Sequence, residues 1–200
     1  PGADSISMQS GGWSITWQGG GDLTNADFPG ATSIYAGLSA ALREGGGNAI
    51  LSPDGQHAER PDAAVIVFGE EPYAEFSGDR KDLTFRDDKT LALMQGLRAQ
   101  GVPVVAVFLS GRPLWVNRFL AQSDAFVAAW LPGSEGGGLA DLLIGGARGE
   151  VRHDFSGRLS FSWPAKCDAD AGNGNDGVPL FRAGEGFSYA SPPRAGGAVA

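Results

Sequence analysis

The residues best suited to chemistry in this 200-residue chain fall in one short stretch, Gly69-Glu70-Glu71-Pro72-Tyr73-Ala74-Glu75-Phe76-Ser77-Gly78-Asp79-Arg80. Three glutamates, an aspartate, an arginine and two aromatics stand within twelve positions. Carboxyl groups donate and withdraw protons, and flat aromatic rings stack on the apolar faces of sugars. The competing reading is a solvated acidic loop, because clustered carboxylates mark a site only in some proteins. A second stretch, Ser10-Gly11-Gly12-Trp13-Ser14-Ile15-Thr16-Trp17-Gln18-Gly19, sets two tryptophans among glycines. A tryptophan there is either a platform for a ring or an anchor that pins the loop to the core. Trp17 reads as the anchor; Trp13 is open to both.

Other patterns carry less. Asp168, Asp170 and Asp176 suggest a calcium loop, but Gly172 stands where a ligand is required and the terminal glutamate is missing. Gly172, Gly174 and Gly177 have the spacing of a dinucleotide turn, with no strand leading in and no helix following, so residues 168–177 read as a surface loop. Ser134, His57 and His153 offer the parts of a serine hydrolase without its Gly-x-Ser-x-Gly elbow. Cys167 is the single cysteine, which excludes a disulfide framework and a cysteine-based zinc site. No metal and no cofactor is expected.

The elements that must position these residues follow from periodicity. Ala63 to Phe68, Val102 to Leu109 and Ala125 to Leu131 are unbroken apolar runs, the mark of strands covered on both faces. Asn48 to Leu51 and Leu159 to Trp163 are further strand candidates. Thr32 to Glu44, Asp87 to Gln100, Pro113 to Ala121 and Ser134 to Ile144 carry helical spacing. Strands alternating with helices predict a three-layer α/β sandwich on a mostly parallel sheet. Binding crevices in such sheets lie beyond the carboxyl ends of the strands, so the loops at 69–82, 110–113 and 132–138 matter most.

Composition agrees with one globular domain: 42% of residues are apolar, 19% charged, and 32 glycines supply loops. A net charge of −8 disfavours nucleic acid, and no apolar run reaches membrane-spanning length. The chain opens on Pro1 without an initiator methionine, so the natural N-terminus is expected to lie elsewhere.

Read together and in order, the motifs resemble one family. Gly11-Gly12-Trp13-Ser14 is followed by the 69–79 loop, then Ser110-Gly111-Arg112-Pro113 and Trp130-Leu131-Pro132-Gly133-Ser134-Glu135-Gly136. Gly157-Arg158-Leu159-Ser160-Phe161-Ser162-Trp163-Pro164 and Pro179-Leu180-Phe181-Arg182-Ala183-Gly184-Glu185-Gly186-Phe187 complete the series. This order is similar to the second domain of glycoside hydrolase family 3 exo-acting β-glucosidases and β-glucan exohydrolases. The resemblance assigns residues 1–189 to that α/β sandwich and 190–200 to a linker or tail.

The resemblance implies a sheet of about six strands with helices on both faces, here without its first strand. It implies a partner, a (β/α)₈ barrel of the same polypeptide that carries the nucleophile, and a β-glucan or β-glucoside substrate. It implies Glu75 as the acid/base, with Glu70 and Glu71 in reserve, and Trp13 as a clamp on the next sugar. Tyr73 and Phe76 are expected beside the substrate; Asp79, Arg80, Arg112 and Glu135 are expected to brace the loops. A proton donor of this kind needs a raised pKa, for which the nucleophile's charge and burial under Phe76 or Tyr73 are the expected causes. Periplasmic or secreted residence is implied as well.

Overall fold

A computed structural model describes residues 2–167 and 179–192. The loop read at 168–177 lies outside them, as does the tail beyond residue 192.

Three strands, β1 (Ala64–Gly69), β2 (Val104–Leu109) and β3 (Ala125–Trp130), pair in parallel in the order β1-β2-β3. Among the described residues five α-helices accompany them: α1 (Ile6–Ser10), α2 (Ile34–Glu44), α3 (Asp88–Ala99), α4 (Asn117–Leu120) and α5 (Gly136–Leu143). The apolar runs are continuous because both faces of the sheet are covered. Ile66, Phe68, Ala106 and Phe108 pack on Leu91, Met94 and Leu97 of α3 and Phe119 of α4. Val67, Val107 and Leu109 face the opposite way, onto Ile34 and Leu38 of α2 and Leu139 and Ala140 of α5. The result is a three-layer α/β/α arrangement, as the sequence predicts.

Local signals set the ends of the helices. Ser33 Oγ accepts from Ala36 N at 3.1 Å to open α2, and Asp87 Oδ1 accepts from Thr90 N at 2.9 Å to open α3. Glycines on both helices permit the close approach of α2 and α5: a Cβ added at Gly37 of α2 would lie 2.8 Å from Gly136 O, and one at Gly136 of α5 would collide with Ser33 C.

The described residues form three strands where about six are expected. Asn48 to Leu51 runs as exposed loop, with Ile50 78% accessible, because among the described residues no neighbouring strand offers it a ladder. Leu159 to Trp163 does not join the sheet. It exchanges hydrogen bonds with residues 180–185 instead (Trp163 N to Phe181 O, 2.7 Å), while the Trp163 ring enters the core. The helix expected over Pro113 to Ala121 shortens to α4. Trp115 is bound in extended form, its N–H donating to Leu83 O at 2.8 Å and its carbonyl accepting from Phe85 N at 3.1 Å. All three strands end on the same side, which brings the loops after β1, β2 and β3 together.

Candidate active site

The base of the loop after β1 is held by a charge cluster. Glu70 lies directly beyond β1 with its side chain only 8% exposed. Arg112, from the loop after β2, donates to Glu70 Oε1 through Nη2 at 2.7 Å and Nε at 3.1 Å. Ser110 Oγ donates to Glu70 Oε2 at 2.6 Å, and Arg80 Nη1 stands 3.7 Å from Oε1. Arg112 Nη1 also reaches Gly78 O at 2.6 Å, so one guanidinium ties both ends of the loop to β2. Such charge-assisted bonds in a shielded position are strong. They occupy Glu70 as a brace.

Tyr73 is half-buried beneath Arg112, whose guanidinium carbon lies 4.3 Å from the ring centroid. Glycines crowd it: a Cβ added at Gly12 would collide with Tyr73 O, and one at Gly78 would collide with Tyr73 Cδ2. Burial pushes the Tyr73 hydroxyl up to about 12, with the Glu70 charge adding to the rise.

Glu75 occupies the exposed crest of the loop. Its Oε2 accepts from the Trp17 indole N–H at 2.7 Å. Gln18 grips the backbone alongside, donating from Nε2 to Glu75 O at 2.9 Å and accepting at Oε1 from Ala74 N at 2.8 Å. Phe76 (75% exposed) meets Trp17 edge-on at 5.8 Å, and Trp13 (69% exposed) lies 6.3 Å from Trp17. Trp13, Ile15 and Phe76 all have left-handed backbones, at φ 59°, 66° and 70°, unusual for bulky side chains and a feature that collects at functional sites.

The hydrogen bond from Trp17 holds the Glu75 carboxyl below its ordinary value, with its own backbone N–H and the Trp13 indole assisting. The rise expected of Glu75 rests on the nucleophile's charge together with burial; within this chain the donors act in the opposite direction. Neither Phe76 nor Tyr73 covers the carboxylate, so burial is too slight to oppose the donors.

The remaining residues separate by position. Glu71 is exposed. Arg80 turns back on its own loop, donating to Asp82 O and to Thr84 O at 2.8 Å. Asp79 is exposed, and among the described residues its carboxylate has no partner. Glu135 accepts from Ser134 Oγ at 2.8 Å at the start of α5, away from Glu75. Glu70, Glu71, Tyr73, Arg80 and Arg112 line a cleft of ≈ 590 Å³; Glu75, Trp13 and Phe76 are not among its walls. Among the described residues no group of three His, Cys, Asp or Glu side chains is placed to hold a metal.

Trp17 and Gln18 are the residues that sequence reading missed. Trp17 is 45% exposed, not a core anchor. It is 58 positions from Glu75, and no spacing rule links them.

Comparison with known proteins identifies the family of the chain. A lysosomal beta glucosidase of Dictyostelium discoideum is 36% identical over 94% of this chain and 25% of its own length. A periplasmic beta-glucosidase of Salmonella typhimurium is 34% identical over 54% of this chain and 14% of its own. The crystal structure of an exo-1,3/1,4-beta-glucanase from a Pseudoalteromonas species superposes with a TM-score of 0.89 and 52% identity, over 94% of this chain and 24% of that one. The chain thus spans about a quarter, or less, of the length of each of these relatives. The model of the glycosyl hydrolase family 3 C-terminal domain matches residues 1–189, and this chain belongs to that family.

Proposed function

We propose that this chain supplies the proton-transferring wall of the active site of a retaining, exo-acting β-glucosidase or β-glucan glucohydrolase. Glu75 is the acid/base. One contrast carries the choice of residue: Glu70 is occupied by Arg112 and Ser110, whereas Glu75 stands exposed between the rings of Trp13, Trp17 and Phe76. Trp13 and Phe76 serve as stacking surfaces for the sugar on the leaving-group side.

The nucleophile comes from outside this chain, from a (β/α)₈ barrel of the same polypeptide. In a retaining enzyme its carboxylate attacks the anomeric carbon about 5–5.5 Å from the acid/base carboxyl. Glu75 protonates the departing oxygen, then takes a proton from the water that releases the glycosyl-enzyme. The donors around Glu75 favour its ionised form, so the upward shift an acid requires must come from the barrel, by water exclusion and by the nucleophile's like charge. Alone, the domain hydrolyses β-glucosides poorly if at all. Residence in the periplasm or outside the cell is supported by the periplasmic relative, while the other curated relative described above is lysosomal.

The test uses the full-length enzyme. Glu75→Ala should fail on aryl β-glucosides with poor leaving groups, keep much of its activity on activated ones, and regain turnover with azide. Equal loss on both, with no azide effect, moves the assignment to Glu71 or Glu70.

A second reading, a non-catalytic sugar-binding or structural module, is favoured by the exposure of Trp13 and Phe76. Calorimetry of the isolated chain with laminaribiose, and its loss in Trp13→Ala, tests it.

A further inference from the structure

We propose that Gln18 is a positioning residue for Glu75, one that acts on the main chain beneath the carboxyl and not on the carboxyl itself. The inference rests on the assignment of Glu75 as acid/base. Residues 74–79 form a tight turn, with Gly78 N donating to Ala74 O at 2.8 Å, Ser77 N to Glu75 O at 3.0 Å and Asp79 N to Phe76 O at 3.2 Å. These bonds leave two groups to be met from outside the turn, the Ala74 N–H and the second lone pair of Glu75 O. The Gln18 amide meets both. Its Oε1 accepts from Ala74 N at 2.8 Å, and its Nε2 donates to Glu75 O at 2.9 Å. An amide offers a donor and an acceptor side by side without a charge, so one flat group spans the Ala74–Glu75 backbone.

The contact is built from both flanks of Gln18. A Cβ added at Gly12 would collide with Tyr73 O, and one at Gly19 would lie 2.9 Å from Pro72 Cβ. Gly19 is also left-handed, at φ 69°. The two missing side chains let residues 12–19 lie against residues 72–73, which brings the Gln18 amide within reach of the crest. Above that contact Glu75, Phe76 and Ser77 are all exposed. The Gln18 bonds go to peptide groups, and peptide groups do not titrate. The direction in which the Glu75 side chain leaves the backbone is therefore held alike when its carboxyl is the acid and when it is the base. A residue that acts twice in one turnover starts both times from the same place.

The experiment compares Gln18→Met, Gln18→Asn and Glu75→Ala in the full-length enzyme. Gln18→Met keeps length and bulk and removes both hydrogen bonds. On an aryl β-glucoside with a poor leaving group its kcat/KM should fall about tenfold, the order expected of a slightly misplaced reacting group. On an activated leaving group, whose departure needs little protonation, kcat/KM should hold within about twofold. Azide attacks without a general base, so it should raise kcat of Gln18→Met on the activated substrate more than it raises that of the wild type. Gln18→Asn keeps the amide one methylene short of both partners and should show the same contrast between leaving groups. Equal loss on both leaving groups, or rates that overlay the wild type on both, overturns the role of Gln18 while Glu75→Ala is still rescued by azide. Failure of that rescue overturns the Glu75 assignment, and the role of Gln18 with it.

Discussion

Arg112 Nη2 lies 2.7 Å from Glu70 Oε1, and Arg112 Nη1 lies 2.6 Å from Gly78 O. One side chain therefore fixes both the beginning and the end of the loop that carries Glu75. Because Glu70 is shielded, removing its partner leaves a carboxylate with little access to water. Arg112→Met should lower stability by about 3 kcal/mol, read from chemical denaturation. Arg112→Lys, which cannot span Glu70 and Gly78 together, should recover only part of that loss.

Gln9 is fully buried and joins three segments. Its Nε2 donates to Thr32 O at 2.9 Å and Gly133 O at 2.6 Å, and its Oε1 accepts from Ile34 N at 3.2 Å. Gln9→Leu conserves volume but strands the Gly133 carbonyl and the Ile34 N–H. A loss of about 3 kcal/mol is expected in the same denaturation assay.

Two glycines should respond in opposite directions to alanine. A side chain at Gly12 collides with Tyr73 O, a backbone atom that cannot step aside. Gly12→Ala should cost about 2 kcal/mol and separate the tryptophan loop from the Glu75 loop. Gly138 is exposed on α5 with nothing within 4 Å of an added Cβ. Gly138→Ala should raise stability by about 0.5–1 kcal/mol.

Tyr73 should be a late-titrating tyrosine, ionising near 12 where phenolate absorbance is followed against pH. Its folded pKa lies above the ordinary value of about 10. The folded chain thus keeps a proton that the unfolded chain gives up, and stability falls as pH rises across that window. Tyr189 is also pushed up by burial and contributes to the same decline. Tyr73→Phe should remove the Tyr73 share and leave the rest.

The layered fold was legible because its signals are local. Ala-Val-Ile-Val-Phe at 64–68 and Val-Val-Ala-Val-Phe-Leu at 104–109 announce buried strands, and Ser33 and Asp87 announce helix starts. The short helix α1 was not legible, since five residues carry too little periodicity and its cap, Ser5, is an ordinary serine. The extent of the sheet was overestimated. Leu159 to Trp163 has a strand's composition, but its partner is the 180–185 segment and not β3. In the site, composition marks the loop at 69–80 as the stretch richest in chemistry but leaves it open between a site and a solvated acidic loop; the order of the motifs along the chain favours the site. What composition could not give was the division of labour within it. Glu70 and Glu75 are the same residue type five positions apart, and only the positions of Arg112 and Trp17 in space separate a brace from an exposed acid. Within this chain the direction of the Glu75 shift depends on a donor 58 residues away, which no local pattern shows.

The loop after β1 is fastened at its base by residues 110–112 and steered at its crest by residues 13–18. These two segments are far apart in sequence and touch different parts of the loop. Variation in one need not disturb the other. A lineage can therefore exchange the tryptophan segment like a cassette, altering which sugars are met and how readily the proton is given up, while the foundation beneath stays constant. For protein engineering, that makes positions 13–16 the place to diversify and positions 17, 18, 70, 110 and 112 the place to leave alone.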